Sequence, residues 1–163
     1  MKYRMIQYDR EAAVVYAKKW AYSRNPSYYN FDLIGGDCTN FASQCLYAGC
    51  RVMDYTPILG WYYISANKKS PSWTGVPYFY NFITQNQSVG PFGKECLPQE
   101  VQIADFIQLY NSQKYTHTLL VTKIYGGRLY VAAHSQDSFD RELSTFIYDN
   151  LRYIHIQGAR ALA

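Results

Sequence analysis

Gly35-Gly36-Asp37-Cys38-Thr39-Asn40-Phe41 runs into an apolar pattern at helical spacing: Phe41, Ala42, Cys45, Leu46 and Ala48. The glycine pair predicts a tight turn and the pattern predicts a helix, so Cys38 falls in the helix's first turn. Unpaired backbone N–H groups and the positive end of the helix dipole gather there. That setting favours a thiolate, the reactive form of cysteine. A cysteine that only fills space needs none of it.

The other three cysteines lack such a setting. Cys38, Cys45, Cys50 and Cys96 match no common zinc spacing. Cys38 and Cys45 would sit about 10 Å apart along one helix, too far to bridge. Cys45 reads as a small core residue, and whether Cys50, just past the helix end, meets Cys96 is not legible in the sequence. A stapled structural protein would have to consume Cys38.

At 163 residues and 48% apolar content, the chain is expected to form one domain over residues 1–163. No apolar run is long enough for a membrane span, and Met1–Gln7 lacks the apolar stretch of a signal peptide. Localisation therefore stays open between cytoplasm, export by another route and a trimmed leader. The net charge of +4 comes without a lysine or arginine run longer than two, so no nucleic-acid partner is indicated. Oligomeric state is not legible. Eighteen tyrosines fit either strand and core positions or a groove lined for sugars or peptides.

The pattern on either side of Cys38 changes character. A helix is expected over about Tyr8–Ser23, capped by Asp9 and striped by Ala13, Tyr16, Ala17 and Trp20. The Cys38 helix should stop near Gly49, a good left-handed C-terminal residue. A short helix follows Pro77, and Asn86–Gln99 reads as loop. Period two then sets in: strands are expected over Asp105–Tyr110, Thr116–Tyr125, Arg128–Ser135 and Leu151–Gln157, with Gly126-Gly127 as a hairpin turn. Helices first and an antiparallel sheet afterwards predict an α+β fold.

Two of the three histidines lie on that hairpin. A two-residue turn sets His117 opposite Gln136 and Leu119 opposite His134, so both histidines share a face; a slip of one residue would separate them. A helix-terminal cysteine and a strand histidine suffice for thiol nucleophilic catalysis. His117 would take the Cys38 proton, or hold an ion pair with it, and then protonate the leaving amine. His134, then Gln136 or Asp137, is the candidate to orient the imidazole. The Cys38 N–H and a side-chain donor would stabilise the oxyanion, with Gln44 and Tyr29 as candidates. Trp61 and Trp73 could line a substrate groove with Gln44, or sit in the core. A zinc set of Cys38, His117 and His134 is the metal-based alternative.

These residues resemble the Putative amidase domain family, relatives of papain-like and NlpC-type cell-wall peptidases and of CHAP amidases. The resemblance rests on Tyr8-Asp9-Arg10, Asn25-Pro26, Gly36-Asp37-Cys38-Thr39-Asn40-Phe41-Ala42-Ser43-Gln44, Ser72-Trp73-Thr74 and Ala132-Ala133-His134-Ser135-Gln136-Asp137. It implies a papain-like fold with the nucleophile helix on an antiparallel sheet. It implies hydrolysis of an amide, in peptidoglycan or a related peptide, without a metal or other cofactor. On this chain Cys38 matches the nucleophile, His117 the base and His134 the orienting group. Two departures are Ala104-Asp105, where the family has Gly-Asp, and Cys50, where it has the second glycine of a pair. A catalytically degenerate binding module for wall peptides or a protein partner is the alternative function.

Overall fold

A computed structural model describes all 163 residues. It is α+β: a seven-stranded antiparallel sheet with four helices and a separate two-stranded ribbon. In chain order the elements are β1 (Tyr3–Ile6), α1 (Arg10–Trp20), α2 (Cys38–Cys50), β2 (Tyr63–Ser65), β3 (Lys68–Lys69), α3 (Pro71–Thr74) and α4 (Val76–Gln85). β4 (Gly90–Cys96), β5 (Phe106–Asn111), β6 (Lys114–Tyr125), β7 (Arg128–Ala133), β8 (Ser138–Glu142) and β9 (Asn150–Leu162) follow. The main path is β1-β9-β5-β6-β7-β8, with β4 on the other edge of β9.

The long β9 organises the sheet. Its first half pairs with β5, its middle with β4 and its end with β1. That pairing corrects the loop expected over Asn86–Gln99, since Gly90–Cys96 is a strand. Its composition hid it: Gly90, Pro91 and Gly93 are poor strand formers. Gly93 is needed there, because a Cβ would meet the His155 carbonyl. β1 and β8 are likewise short strands without a strong period-two signal.

Strand alternation sorts the apolar side chains onto two faces. Phe106, Leu120, Ala132 and Ile154 join Phe41, Leu46, Trp61, Trp73 and Phe79 in the larger core beneath the helices. Ile107, Leu109, Leu119, Val121, Val131 and Ala133 face the other way, against Leu143 and Phe146. Both faces of β5 and β6 are therefore covered, which pins their register.

Helix α1 packs its Ala13 and Ala17 inward, as the expected stripe requires. Asp9 caps it by accepting from the Ala12 N–H at 3.0 Å. Gly49 does not end α2; Arg51 takes the left-handed position at φ 61°. Gly49 instead lets α2 press on the start of α1, because a Cβ there would run into the Tyr8 ring and sit 2.7 Å from the Asp9 carbonyl oxygen. Ala104 stands at φ 67°, the left-handed region that favours glycine. Cys50 and Cys96 are both free thiols, so the pairing considered from sequence is not formed. No helix is long and apolar enough to cross a membrane.

Candidate active site

Asp37, Thr39, Asn40 and Phe41, the neighbours of Cys38, are all buried. Each is committed to a different part of the fold. The Thr39 hydroxyl lies 2.9 Å from that of Thr118 on β6. Asn40 donates to Asp37 and to the Tyr29 carbonyl, and accepts from the Trp73 indole at 3.0 Å. Phe41 stacks on the His134 ring, centroids 3.9 Å apart. Asp37 puts no side-chain bond on the helix start; it accepts from the Phe31 N–H and meets His134 Nδ1 at 2.7 Å. Cys38 alone in this run keeps partial exposure, and it lines an open cavity of about 440 Å³.

His117 lines the same cavity. Cys38 Sγ lies 4.0 Å from the carbonyl of Thr116, the residue before it. His117 sits opposite Leu109, and its ring meets Phe146 edge-on at 6.3 Å. Its Nδ1 is buried without any hydrogen-bond partner. Burial, and then the charge of Arg141, hold the imidazole below its ordinary pKa, so at neutral pH it is neutral and able to accept a proton. The Cys38 thiol is pushed up, by burial first, while the backbone of Thr118 and both the hydroxyl and backbone of Thr39 act to lower it. This corrects the thiolate expected from the helix terminus alone: desolvation outweighs the stabilising donors, and the resting sulfur is a thiol. A neutral imidazole and a neutral thiol lining one cavity suit proton transfer during attack rather than a standing ion pair.

His134 is not where the hairpin reading set it. From Tyr125↔Arg128 to Lys123↔Tyr130 the expected register holds. A bulge at Thr122 then shifts it by one, giving Val121↔Val131 and Leu120↔Ala132. The Thr122 hydroxyl turns to Asp140 and the Tyr130 carbonyl. Beyond the bulge, His134 follows Ala132 onto the α2 face, while His117 lies with Leu109 and Phe146 on the other. His134 is 1% exposed, its Nδ1 is on Asp37, and its Nε2 is 2.9 Å from the Trp20 carbonyl and 3.0 Å from Arg24 Nη1. Neither ring nitrogen is left to orient His117.

Arg24 completes that cluster. It forks onto Asp137 at 2.9 and 3.0 Å and onto Asp32 at 3.1 Å, and lies 3.7 Å from Asp37. Asp137 is thereby committed as well. Of the orienting residues considered, Gln136 alone lines the cavity with His117. Asn111, which sequence reasoning missed, lines it too. It sits beyond the expected end of its strand, where only spatial proximity could have flagged it.

The expected groove residues are elsewhere. Trp61 and Trp73 are fully buried, 4.6 Å apart, with indole N–H groups on Ser43 and Asn40. Gln44 is buried and accepts from the Tyr16 hydroxyl. None of the three lines the Cys38 cavity, and Tyr29 does not either. An indole that finds a polar partner on a core helix is a packing element. No group of three or more His, Cys, Asp or Glu side chains is gathered to hold a metal, so the zinc set is not assembled. A larger cleft of about 810 Å³ beside Leu59 and Phe82 has no cysteine or histidine in its lining. The third histidine, His155, gives its Nδ1 to buried Asp105.

The chain is 35% identical over 162 residues to "Uncharacterized protein YhbB" of Bacillus subtilis (strain 168); the match takes in 92% of this chain and 50% of that protein. The chain thus spans about half the length of the curated relative it matches. No solved structure matches it. The model of the family described as "Putative amidase domain" matches residues 7–157, which include Cys38, His117 and His134. The chain belongs to the Putative amidase domain family.

Proposed function

We propose that this chain is a cysteine-dependent amidase or peptidase of papain-like design, with Cys38 as nucleophile and His117 as general base. The observation that carries the reading is the contrast within Asp37–Phe41: every side chain but Cys38 is buried and either hydrogen-bonded or stacked, and Cys38 shares its cavity with an imidazole whose Nδ1 has no partner. Family membership supports amidase-type hydrolysis. A helix carrying the nucleophile against an antiparallel sheet is the arrangement the papain-like design uses.

The chemistry follows from two neutral groups. As Cys38 Sγ bonds to the amide carbon, His117 takes the thiol proton and the carbonyl oxygen becomes an oxyanion. The uncapped first turn of α2 supplies N–H donors for that charge. The C–N bond then breaks, with the proton passing from His117 to the leaving amine. Water, deprotonated by His117, attacks the thioester, and thiol and carboxylic acid are released. We assign to Gln136 and Asn111, the side-chain amides of the lining, the task of assisting the oxyanion or holding the His117 ring; one Asn111 N–H already donates to the Thr116 hydroxyl at 3.1 Å. Peptidoglycan stem peptides are the substrate class we assign.

Cys38→Ala should abolish release of new amino termini from digested cell-wall muropeptides and leave the circular dichroism spectrum unchanged. Hydrolysis by that variant at the wild-type rate would overturn the assignment. A second reading, a binding module that holds such peptides without cutting them, is favoured by the raised Cys38 thiol. Iodoacetamide separates the two. An enzyme requires Cys38 to react faster than Cys96, whose thiol burial pushes to about 11.

A further inference from the structure

Arg141 is the one arginine in the lining of the cavity. It lies on β8 opposite Val131 and lines the space shared by Cys38 and His117. Its Nε donates to the Thr145 hydroxyl and its Nη2 to the Thr145 carbonyl, both at 2.8 Å. The guanidinium rests on the Phe146 ring, 3.8 Å from the centroid. Nη1 makes no bond to the protein, and no carboxylate lies within ion-pair distance, whereas Arg10 and Arg24 are each paired with acids. The one acidic residue in the lining, Asp37, is 1% exposed and saturated by His134, Asn40 and the Phe31 N–H. Asp32 and Asp137 are not in the lining and face Arg24.

We propose that Arg141 is a carboxylate-binding subsite, so that the substrate is an amide bearing a free carboxylate close to the bond that Cys38 attacks. This rests on the assignment of Cys38 as nucleophile and narrows it. A guanidinium held flat by an aromatic ring and anchored on one side is pre-organised, and its remaining N–H groups match the planar geometry of a carboxylate. Its cost is visible at His117, whose imidazole it disfavours charging. A cation kept unpaired next to a base that must accept a proton is hard to account for by packing. A bound carboxylate would offset that charge and ease protonation of His117 only when substrate is in place.

The test uses two alkylating probes that differ only in charge. Rates of Cys38 modification by iodoacetate and iodoacetamide are measured at low ionic strength by mass spectrometry of the Cys38 peptide, with Cys96 as internal reference. In the wild-type chain the iodoacetate-to-iodoacetamide ratio at Cys38 should exceed that of Arg141→Gln about tenfold, the size of one charge-assisted hydrogen bond. Arg141→Lys should retain part of the preference, and Arg4→Gln on the exposed outer strand should retain all of it. The ratio at Cys96 should not change in any variant. Equal Cys38 ratios in wild type and Arg141→Gln would overturn the subsite. Equal ratios alongside an inactive Cys38→Ala remove the subsite alone. A persistent preference alongside a fully active Cys38→Ala removes the nucleophile assignment and leaves an anion site.

Discussion

The two histidines that share a hairpin occupy opposite chemical worlds. His134 is closed in, stacked on Phe41, with both nitrogens engaged by Asp37, the Trp20 carbonyl and Arg24. His117 is buried at Nδ1 and bonded to nothing, facing apolar Leu109 and Phe146. A buried polar atom without a partner costs about 1–3 kcal/mol and calls for an explanation. A saturated group has already spent its hydrogen-bonding capacity on the fold. The difference teaches that the motif around His134 holds the Cys38 helix in place, while His117 remains able to exchange a proton.

Paired substitutions break that comparison most sharply. His117→Gln is expected to lower turnover by about 10²–10⁴-fold, the usual contribution of a general base, and to leave thermal stability near wild type. His134→Leu is expected to cost about 1–3 kcal/mol of stability, since it strips buried Asp37 of a hydrogen-bond partner. Its activity should fall only as far as the folded fraction falls, once measured below its melting transition. Thermal melts and turnover on the same samples check both. If His134→Leu were stable but inactive, its role would be chemical and the contrast would fail.

What the sequence disclosed follows the same division. The Gly35–Phe41 turn and helix, the Gly126-Gly127 hairpin and the helix after Pro77 were legible, because glycine, proline and apolar period act locally. The sheet position of His134 was not. It depends on one extra residue at Thr122, whose hydroxyl is drawn to Asp140, eighteen positions away. Trp61 and Trp73 looked equally fit for a groove or a core because composition carries no direction. A signal was present in α2, where Asn40 and Ser43 lie on the helix face that enters the core and need donors there. Buried polar residues on a core helix imply polar partners from elsewhere, and an indole N–H is one.

A smaller effect is expected at the far end of α2. Gly49→Ala sets a methyl group against the Tyr8 ring and the Asp9 carbonyl oxygen. Overpacking of this kind costs about 1–3 kcal/mol. Because Gly49 is eleven residues from Cys38 along the helix, denaturant midpoints should drop while turnover by folded protein holds. A loss of turnover at unchanged stability would mean that α1 and α2 move together during the reaction, and the scaffold would not be rigid in the sense His134 suggests.

The smallest effect is also the one that reads His117 itself. Its folded pKa is depressed, by burial first and Arg141 second, so below the unfolded value of about 6.5 the unfolded chain binds more protons than the folded one. Stability at His117 is therefore whole above that pH and is lost as pH falls through the window beneath it. Subtracting the pH–stability curve of His117→Gln from that of wild type isolates this loss from the carboxylates, and wild type should fall more steeply below about pH 6.5. The acid limb of kcat/KM should lie on the low side of 6.5 for the same reason. Arg141→Gln removes one of the two causes, so the stability loss should shrink and the acid limb should move up toward the ordinary value. A limb that stays in place would mean desolvation alone sets the base, and the cation would have no electrical hold on it.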